Sequence, residues 1–183
     1  MKNGIKSFDI QSYNFQPSDY LLFDANIWLY IYGPQGNPND WKTRAYSNGL
    51  ANALRASSKL FIDVLILSEF INRYARIEHN ILINQRKANP NFKTFRKSAD
   101  FKPLATAIAN DVRRILYYTQ RTEDRFEKLD INSLLMQYEQ GNSDFNDQIL
   151  ADLCRSKGIK LVTHDADFKD QGLTIITANN RLL

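Results

Sequence analysis

Short apolar runs alternate with stretches of helical spacing along this chain, and this alternation limits the fold more than any other feature. Strands are predicted at 20–23, 60–67, 159–163 and 173–177, and helices at 41–57, 68–86, 104–118, 132–139 and 144–157. The first two strands are nearly continuous apolar runs, which is typical of strands buried on both faces of a sheet. The sequence therefore predicts an α/β fold with a central, mainly parallel sheet.

The chain is long enough for one domain with a core of its own. We expect that domain at residues 20–183, after a polar, irregular N-terminal extension at 1–19 and with a basic insertion near 84–103. Apolar residues make up 43% of the chain and charged residues 24%, values that exclude wholesale disorder.

The same composition bears on location. No apolar run approaches the roughly 18–20 residues that a membrane-spanning helix needs, and the N-terminal residues lack the apolar block of a secretory signal. The single cysteine, Cys154, cannot form an internal disulfide. We therefore expect a reduced, cytoplasmic protein with no membrane partner.

Basic charge is concentrated in the middle of the chain. Between residues 73 and 102, eight Lys and Arg residues stand against two acids, which leaves a net charge of +6. Phe92, Phe95 and Phe101 are interleaved with them, which favours a surface that binds nucleic acid through phosphates and stacked bases, or a protein partner. The alternatives are a solvated helix end and loop, with the phenylalanines in core or dimer contacts. The candidate nucleic-acid-binding residues are Arg86, Lys87, Lys93, Arg96 and Lys97.

Four acids lie where predicted strands end or predicted helices begin: Asp24, Glu69, Asp147 and Asp165. Because the carboxyl ends of parallel strands meet at one edge of a sheet, we expect these side chains to gather there. Clustered carboxylates repel one another, and a hard divalent cation such as Mg²⁺ or Mn²⁺ relieves that repulsion. The pattern therefore indicates a metal site beside a surface that attracts polyanions, which suits phosphodiester hydrolysis.

Each acid also has a simpler interpretation. Asp144 and Asp147 suit the N-terminal end of a helix, and Glu69 suits the first turn of a helix capped by Ser68. Asp165 would then be a turn residue. The helix near 144–157 is expected to be capped by Ser143 or Asp144.

These segments resemble the PIN-domain family, the metal-dependent nucleases that include VapC-type toxins of toxin–antitoxin pairs. The matching segments are Leu-Phe-Asp-Ala-Asn at 22–26, Leu-Ser-Glu-Phe at 67–70, Asp-Phe-Asn-Asp-Gln-Ile-Leu-Ala at 144–151 and Leu-Val-Thr-His-Asp-Ala-Asp-Phe at 161–168. The similarity extends over about residues 20–180. The last segment is the most specific of the four.

The resemblance implies a three-layer α/β/α fold with an acidic pocket for Mg²⁺ or Mn²⁺. It also implies single-stranded RNA as the substrate, homodimerisation, and an inhibitory protein partner resembling an antitoxin. The residues that fall at the family's metal-site acids are Asp24, Glu69, Asp147 and Asp165. The residues that fall at its orienting polar positions are Asn26 and Thr163, and the additional candidate acids are Asp144 and Asp167.

The leading hypothesis is a Mg²⁺- or Mn²⁺-dependent endoribonuclease that uses water and leaves 5′-phosphate and 3′-hydroxyl ends. One alternative is a non-catalytic RNA-binding or regulatory module on the same fold. Another is a phosphoacceptor signalling domain, but Glu69 is the wrong residue type for phosphorylation at its position.

Overall fold

The computed structural model describes residues 6–123, 126–141, 144–169 and 171–183. Its sheet has six strands in the order β1-β6-β5-β2-β3-β4, and every neighbouring pair is parallel. The strands are Lys6–Asp9 (β1), Tyr20–Phe23 (β2), Lys59–Ile62 (β3), Gln120–Arg121 (β4), Lys160–Val162 (β5) and Thr174–Thr177 (β6). The predicted parallel sheet is thus confirmed.

Seven α-helices connect these strands within the described residues. They are Ala25–Ile31 (α1), Trp41–Arg55 (α2), Val64–Asn84 (α3), Phe92–Phe95 (α4), Phe101–Tyr118 (α5), Ile131–Glu139 (α6) and Phe145–Lys157 (α7). There are also two short 3₁₀ helices: Phe126–Lys128 lies between β4 and α6, and Ala166–Phe168 lies between β5 and β6. No helix in the described part of the chain is long and apolar enough to cross a membrane.

The strand order places helices on both faces of the sheet. From β2 the chain moves outward through β3 to β4, then returns across the sheet to β5 and β6 on the other side of β2. Because crossovers between parallel strands are right-handed, this reversal puts α1 to α5 on one face and α6 and α7 on the other. The result is the three-layer α/β/α arrangement.

The central strands form the core between these layers. Leu21, Leu22 and Phe23 of β2 and Leu161 and Val162 of β5 are completely buried. Burial on both faces explains why these strands are continuously apolar in sequence.

The N-terminal segment differs from its prediction as irregular chain. Its residues 6–9 form the edge strand β1, paired in parallel with β6 from Lys6 opposite Thr174 to Asp9 opposite Thr177. Farther along, buried Asp19 forms an ion pair with Lys160 at the start of β5. A polar edge strand is not marked by an apolar run in the sequence. Strand β1 is therefore recognised only from its pairing with β6. Residues 1–5 lie outside the described residues.

The boundary between β3 and α3 also differs from its prediction. The strand predicted at 60–67 ends at Ile62, and the helix expected from residue 68 begins at Val64. Asp63 decides this boundary, because its side chain accepts a hydrogen bond from the Leu65 backbone N–H at 2.7 Å. The apolar residues at 64–67 suit a buried strand and a helix equally well, so periodicity alone could not separate the two.

Replacing Asp63 with Ala should therefore lower the free energy of unfolding by about 1 kcal/mol, the usual effect of losing a helix N-cap. Ser68→Ala is the matched control, because Ser68 is exposed within the helix and should change stability by less than about 0.5 kcal/mol. Urea denaturation followed by circular dichroism measures both. Equal destabilisation by the two substitutions would contradict a helix start at Val64.

Candidate active site

The strands β2 and β5 lie side by side at the point where the strand order reverses direction. Open parallel sheets bind ligands in the crevice at such a switch point, beyond the carboxyl ends of the strands. Asp24 follows β2 directly, and Thr163 follows β5. The Asp24 backbone N–H donates to the Val162 carbonyl at 3.0 Å, which ties the two strand ends together.

The Asp24 carboxylate is held from three sides. It caps α1 by accepting a hydrogen bond from the Ala25 backbone N–H at 2.6 Å, and it accepts the Thr163 hydroxyl at 2.7 Å. The Asn26 side-chain amide donates to Oδ2 of Asp24, the same oxygen that accepts from Thr163. With only 5% of its surface exposed, Asp24 has a fixed orientation at the strand ends.

Asn26 and Thr163 also connect Asp24 to the loop after β5. The Asn26 amide lies 3.2 Å from the Thr163 hydroxyl, and its carbonyl oxygen accepts the His164 backbone N–H at 3.3 Å. The Asp165 backbone N–H donates to the Thr163 hydroxyl at 3.0 Å. The two loops that carry Asp24 and Asp165 therefore form one hydrogen-bonded unit.

Asp147 reaches this edge from the first turn of α7. Asp144 caps that helix by accepting a hydrogen bond from the Asn146 backbone N–H at 2.9 Å. Ser143, the other residue considered for this cap, lies outside the described residues. Asp147 is partly buried and lies close enough to Asp24 and Asp165 for their charges to act on it.

The pKa values show that the acids act on one another. Burial raises the pKa of Asp24 from 3.8 to about 6; the Thr163 hydrogen bond opposes this rise, and the charges of Glu69 and Asp165 add to it. Burial also raises the pKa of Asp147, to about 7, and the charges of the other acids, led by Asp24, contribute. The site is thus a cluster of repelling carboxylates.

Glu69 lies within a helix, and Asp165 lies in the loop after β5. Glu69 is predicted one residue after a strand, at the opening of a helix; it lies instead in the second turn of α3 and pairs with Arg73 one turn later at 2.7 Å. Asp165 caps the 3₁₀ helix by accepting the Asp167 backbone N–H at 3.0 Å, which leaves Asp167 exposed beside it.

Comparison with known proteins decides the family. A family model described as "PIN domain" matches residues 21–173, most of the chain. The chain belongs to the PIN domain family. Proteins with a PIN domain are generally nucleases. No curated protein matches this chain in sequence.

A solved structure shows the same fold. It is the VapBC2 complex from Rickettsia felis bound to a DNA fragment of the promoter, and it matches with a TM-score of 0.56 at 16% identity. The match covers 86% of this PIN domain chain and 97% of the other chain. At this identity the likeness concerns the fold.

The donor set of this PIN domain suits a hard divalent cation. Carboxylate oxygens are the ligands that Mg²⁺ and Mn²⁺ prefer. Burial, with a contribution from neighbouring acids, raises the pKa values of Asp24 and Asp147, so their charged forms are unfavourable there and a cation would stabilise them. Within the described residues, no group of three or more His, Cys, Asp or Glu side chains is arranged so that it could hold a metal ion. The acids match a cation in ligand type and in charge, while the Glu69 side chain pairs with Arg73.

The basic insertion forms the connection between α3 and α5. Phe95 is 1% exposed and stacks on His79 at a centroid distance of 4.8 Å, with Phe92 and Phe101 packed around it. Of the alternatives for these phenylalanines, Phe95 therefore makes a core contact and cannot stack on a base. The basic candidates Arg86, Lys87, Lys93, Arg96 and Lys97 are all exposed.

His164 and Tyr46, to which the sequence assigned no role, contact each other beside the acids. The His164 ring nitrogen Nδ1 lies 2.7 Å from the Tyr46 hydroxyl, although the two residues are 118 positions apart. Burial and the charge of Lys42 lower the pKa of His164. No pattern in the sequence could have linked these residues, because α2 and the loop after β5 come together only when the chain folds.

Proposed function

We propose that this PIN domain is a Mg²⁺- or Mn²⁺-dependent endoribonuclease that hydrolyses single-stranded RNA. The observation that carries the proposal is the placement of acids at the switch point of the sheet, where burial raises the pKa of Asp24 and of Asp147 and the charges of neighbouring acids add to the rise. A carboxylate cluster maintained at that energetic disadvantage suits a site that binds cations.

Each side chain has a distinct part in this proposal. A cation bound there supplies Lewis acidity and compensates the negative charge of the scissile phosphate. Asp24, Glu69 and Asp147 hold the cation, and Asp165 completes the site or orients the attacking water. Water attacks phosphorus, the bond between phosphorus and the 3′ oxygen breaks, and 5′-phosphate and 3′-hydroxyl ends remain.

The surrounding polar residues keep the acids in place. Asn26 and Thr163 orient Asp24 through the hydrogen bonds described above. Asp144 adds negative charge that raises the pKa of Asp147, and exposed Asp167 is an additional acid at the rim.

The exposed basic side chains of the connection between α3 and α5 are proposed to bind the RNA backbone. Lys and Arg bind phosphates by displacing condensed counterions, so the contribution of these residues should fall as the salt concentration rises. They are Arg86, Lys87, Lys93, Arg96 and Lys97.

The proposal extends to partners. The similar solved structure is a VapBC2 complex, which supports a role for this chain as the toxin of a toxin–antitoxin pair, held by an inhibitory protein in the cytoplasm. Large exposed apolar side chains, including Tyr117 at 82%, Met136 at 63% and Phe126 at 61%, support protein contacts such as a homodimer.

Cleavage of a mixed-sequence, end-labelled single-stranded RNA tests the activity. We expect cleavage with Mg²⁺ or Mn²⁺, complete loss of cleavage in EDTA, and recovery when excess cation is restored, because without a cation nothing at the site activates the attacking water or stabilises the leaving oxygen. Undiminished cleavage in EDTA would refute the metal dependence. A folded chain that binds RNA without cleaving it would support the non-catalytic RNA-binding module.

A further inference from the structure

Aromatic side chains surround His164 next to the carboxylate cluster. The His164 ring centre lies 5.9 Å from those of Tyr30 and Trp41 and 5.7 Å from that of Tyr46, with the rings edge to face. His164 directly precedes Asp165, so the Cα atoms of the two residues are about 3.8 Å apart. The aromatic group therefore adjoins the site proposed for catalysis.

Trp41 is the exposed member of this group. Its exposed fraction is 46%, whereas the other tryptophan, Trp28, is fully buried. An exposed indole ring presents a flat aromatic face on which a planar partner such as a nucleobase can stack. The position of Trp41 at the start of α2, packed on His164, keeps the ring close to the acids.

Hydrogen bonds fix the position of His164, the residue on which these aromatic side chains pack. The Asn179 side-chain amide donates to the His164 carbonyl at 2.7 Å, and Tyr46 bonds the ring. Asn26 accepts the His164 backbone N–H and donates to Asp24. One short network therefore fixes the position of the aromatic group relative to the Asp24 carboxylate.

Cations and a cleft accompany the aromatic rings. The Lys42 ammonium lies 5.7 Å from the centre of the Tyr30 ring and 5.9 Å from that of Trp41. Arg73 and Arg181 line an adjoining polar cleft of about 460 Å³, together with Asp165. An exposed ring, nearby cations and a cleft of this size match one nucleotide, with its base, sugar and phosphate.

We propose that Trp41 stacks on a base of the single-stranded RNA next to the scissile phosphate, while Lys42 binds the phosphate of the same nucleotide. This inference rests on the proposed nuclease function and names a residue that positions its substrate. Stacking tolerates any base, because every base has a π face, so the subsite orients the strand without reading its sequence.

Intrinsic tryptophan fluorescence provides a direct test. The probes are a twelve-nucleotide mixed-sequence RNA and an abasic oligomer of equal length and charge, titrated in EDTA at low salt so that no strand is cut. We expect the RNA to quench the fluorescence of Trp41 and the abasic oligomer to leave it nearly unchanged. The Trp41→Phe variant retains buried Trp28 and should show no quenching.

Two substitutions separate stacking from charge. Trp41→Ala should raise the Kd for the RNA about 5- to 150-fold, the range for losing one stacked base, whereas Trp41→Phe should stay within about threefold of wild type. Lys42→Ala should weaken RNA and abasic oligomer alike and make the salt dependence of log K shallower by about 0.7.

The outcomes distinguish this inference from the nuclease proposal. RNA cleavage in Mg²⁺ with the same KM for wild type and Trp41→Ala, and no quenching by RNA, would overturn the stacking subsite and leave the nuclease intact. Equal quenching by RNA and abasic oligomer would overturn the base contact. A wild-type chain that neither binds nor cleaves RNA would refute both proposals.

Discussion

Alanine at Asp24 is expected to reduce RNA cleavage by at least about a thousandfold in kcat/KM, an effect typical of losing a central electrostatic group. Asp24 is the most buried of the four acids, and its hydrogen bonds to Ala25, Asn26 and Thr163 fix it at the strand ends. Its removal takes away the carboxylate that connects β2, through Thr163, to the loop after β5. Cleavage of end-labelled RNA at saturating Mg²⁺ measures the effect.

Asp63→Ala is the matched control for this substitution. Asp63 is also buried, also follows a strand and also caps a helix, but it belongs to none of the four cluster positions. It should lose about 1 kcal/mol of stability and keep wild-type cleavage at a temperature where the chain stays folded. Retained cleavage in a folded Asp24→Ala variant would remove Asp24 from the mechanism.

Asparagine at Asp147 is expected to stabilise the protein in the absence of divalent cations. At pH 8 the partly buried Asp147 carboxyl is charged and lies among other acids, so the substitution removes an unfavourable desolvation first and a repulsion second, with little change in shape. Because Asp147 is only partly buried, we expect a gain of about 1–2 kcal/mol rather than the full equivalent of its pKa shift. For a chain of this length that gain corresponds to roughly 2–8 °C in Tm.

The pH dependence of stability follows from the raised pKa of Asp147, whose ionisation destabilises the folded protein. The pKa of Asp147 is raised from 3.8 in the unfolded chain to about 7 in the folded chain. Between these values the folded state binds a proton that the unfolded state has lost, so this carboxyl makes stability fall as the pH rises from about 4 to about 7. Thermal unfolding across that range should show a smaller fall for Asp147→Asn than for wild type.

Cation binding gives a second measurement on the same variant. With EDTA removed, Mg²⁺ at a hundred times its Kd should stabilise wild type by about 2.7 kcal/mol at pH 8, and it should stabilise Asp147→Asn much less. Asp152→Asn is the control, since Asp152 is a partly exposed acid on the same helix, 3.7 Å from Arg155 and outside the four cluster positions. Identical Mg²⁺ stabilisation of wild type and Asp147→Asn would exclude Asp147 from the cation site.

The parallel sheet could be predicted because its central strands carry their own signal. Strand β2 is buried on both faces and is therefore apolar at every position from Leu21 to Phe23. The edge strands β1 and β4 carry no such signal, since edge residues are partly exposed and polar. The start of α3 was misplaced because the apolar residues after Asp63 fit a strand or a buried helix, and a single cap decided between them.

The sequence by itself determined the PIN domain family and the order in which the acidic residues follow the strands, since local composition and short motifs carry both. Glu69 pairs with Arg73 one turn away in the same helix, as local spacing allows, but only the tertiary structure decided that Thr163 bonds Asp24 and that Tyr46 holds His164. The last two contacts join residues more than a hundred positions apart. Such contacts arise from the crossing of strands and helices, so no local pattern of residues can encode them.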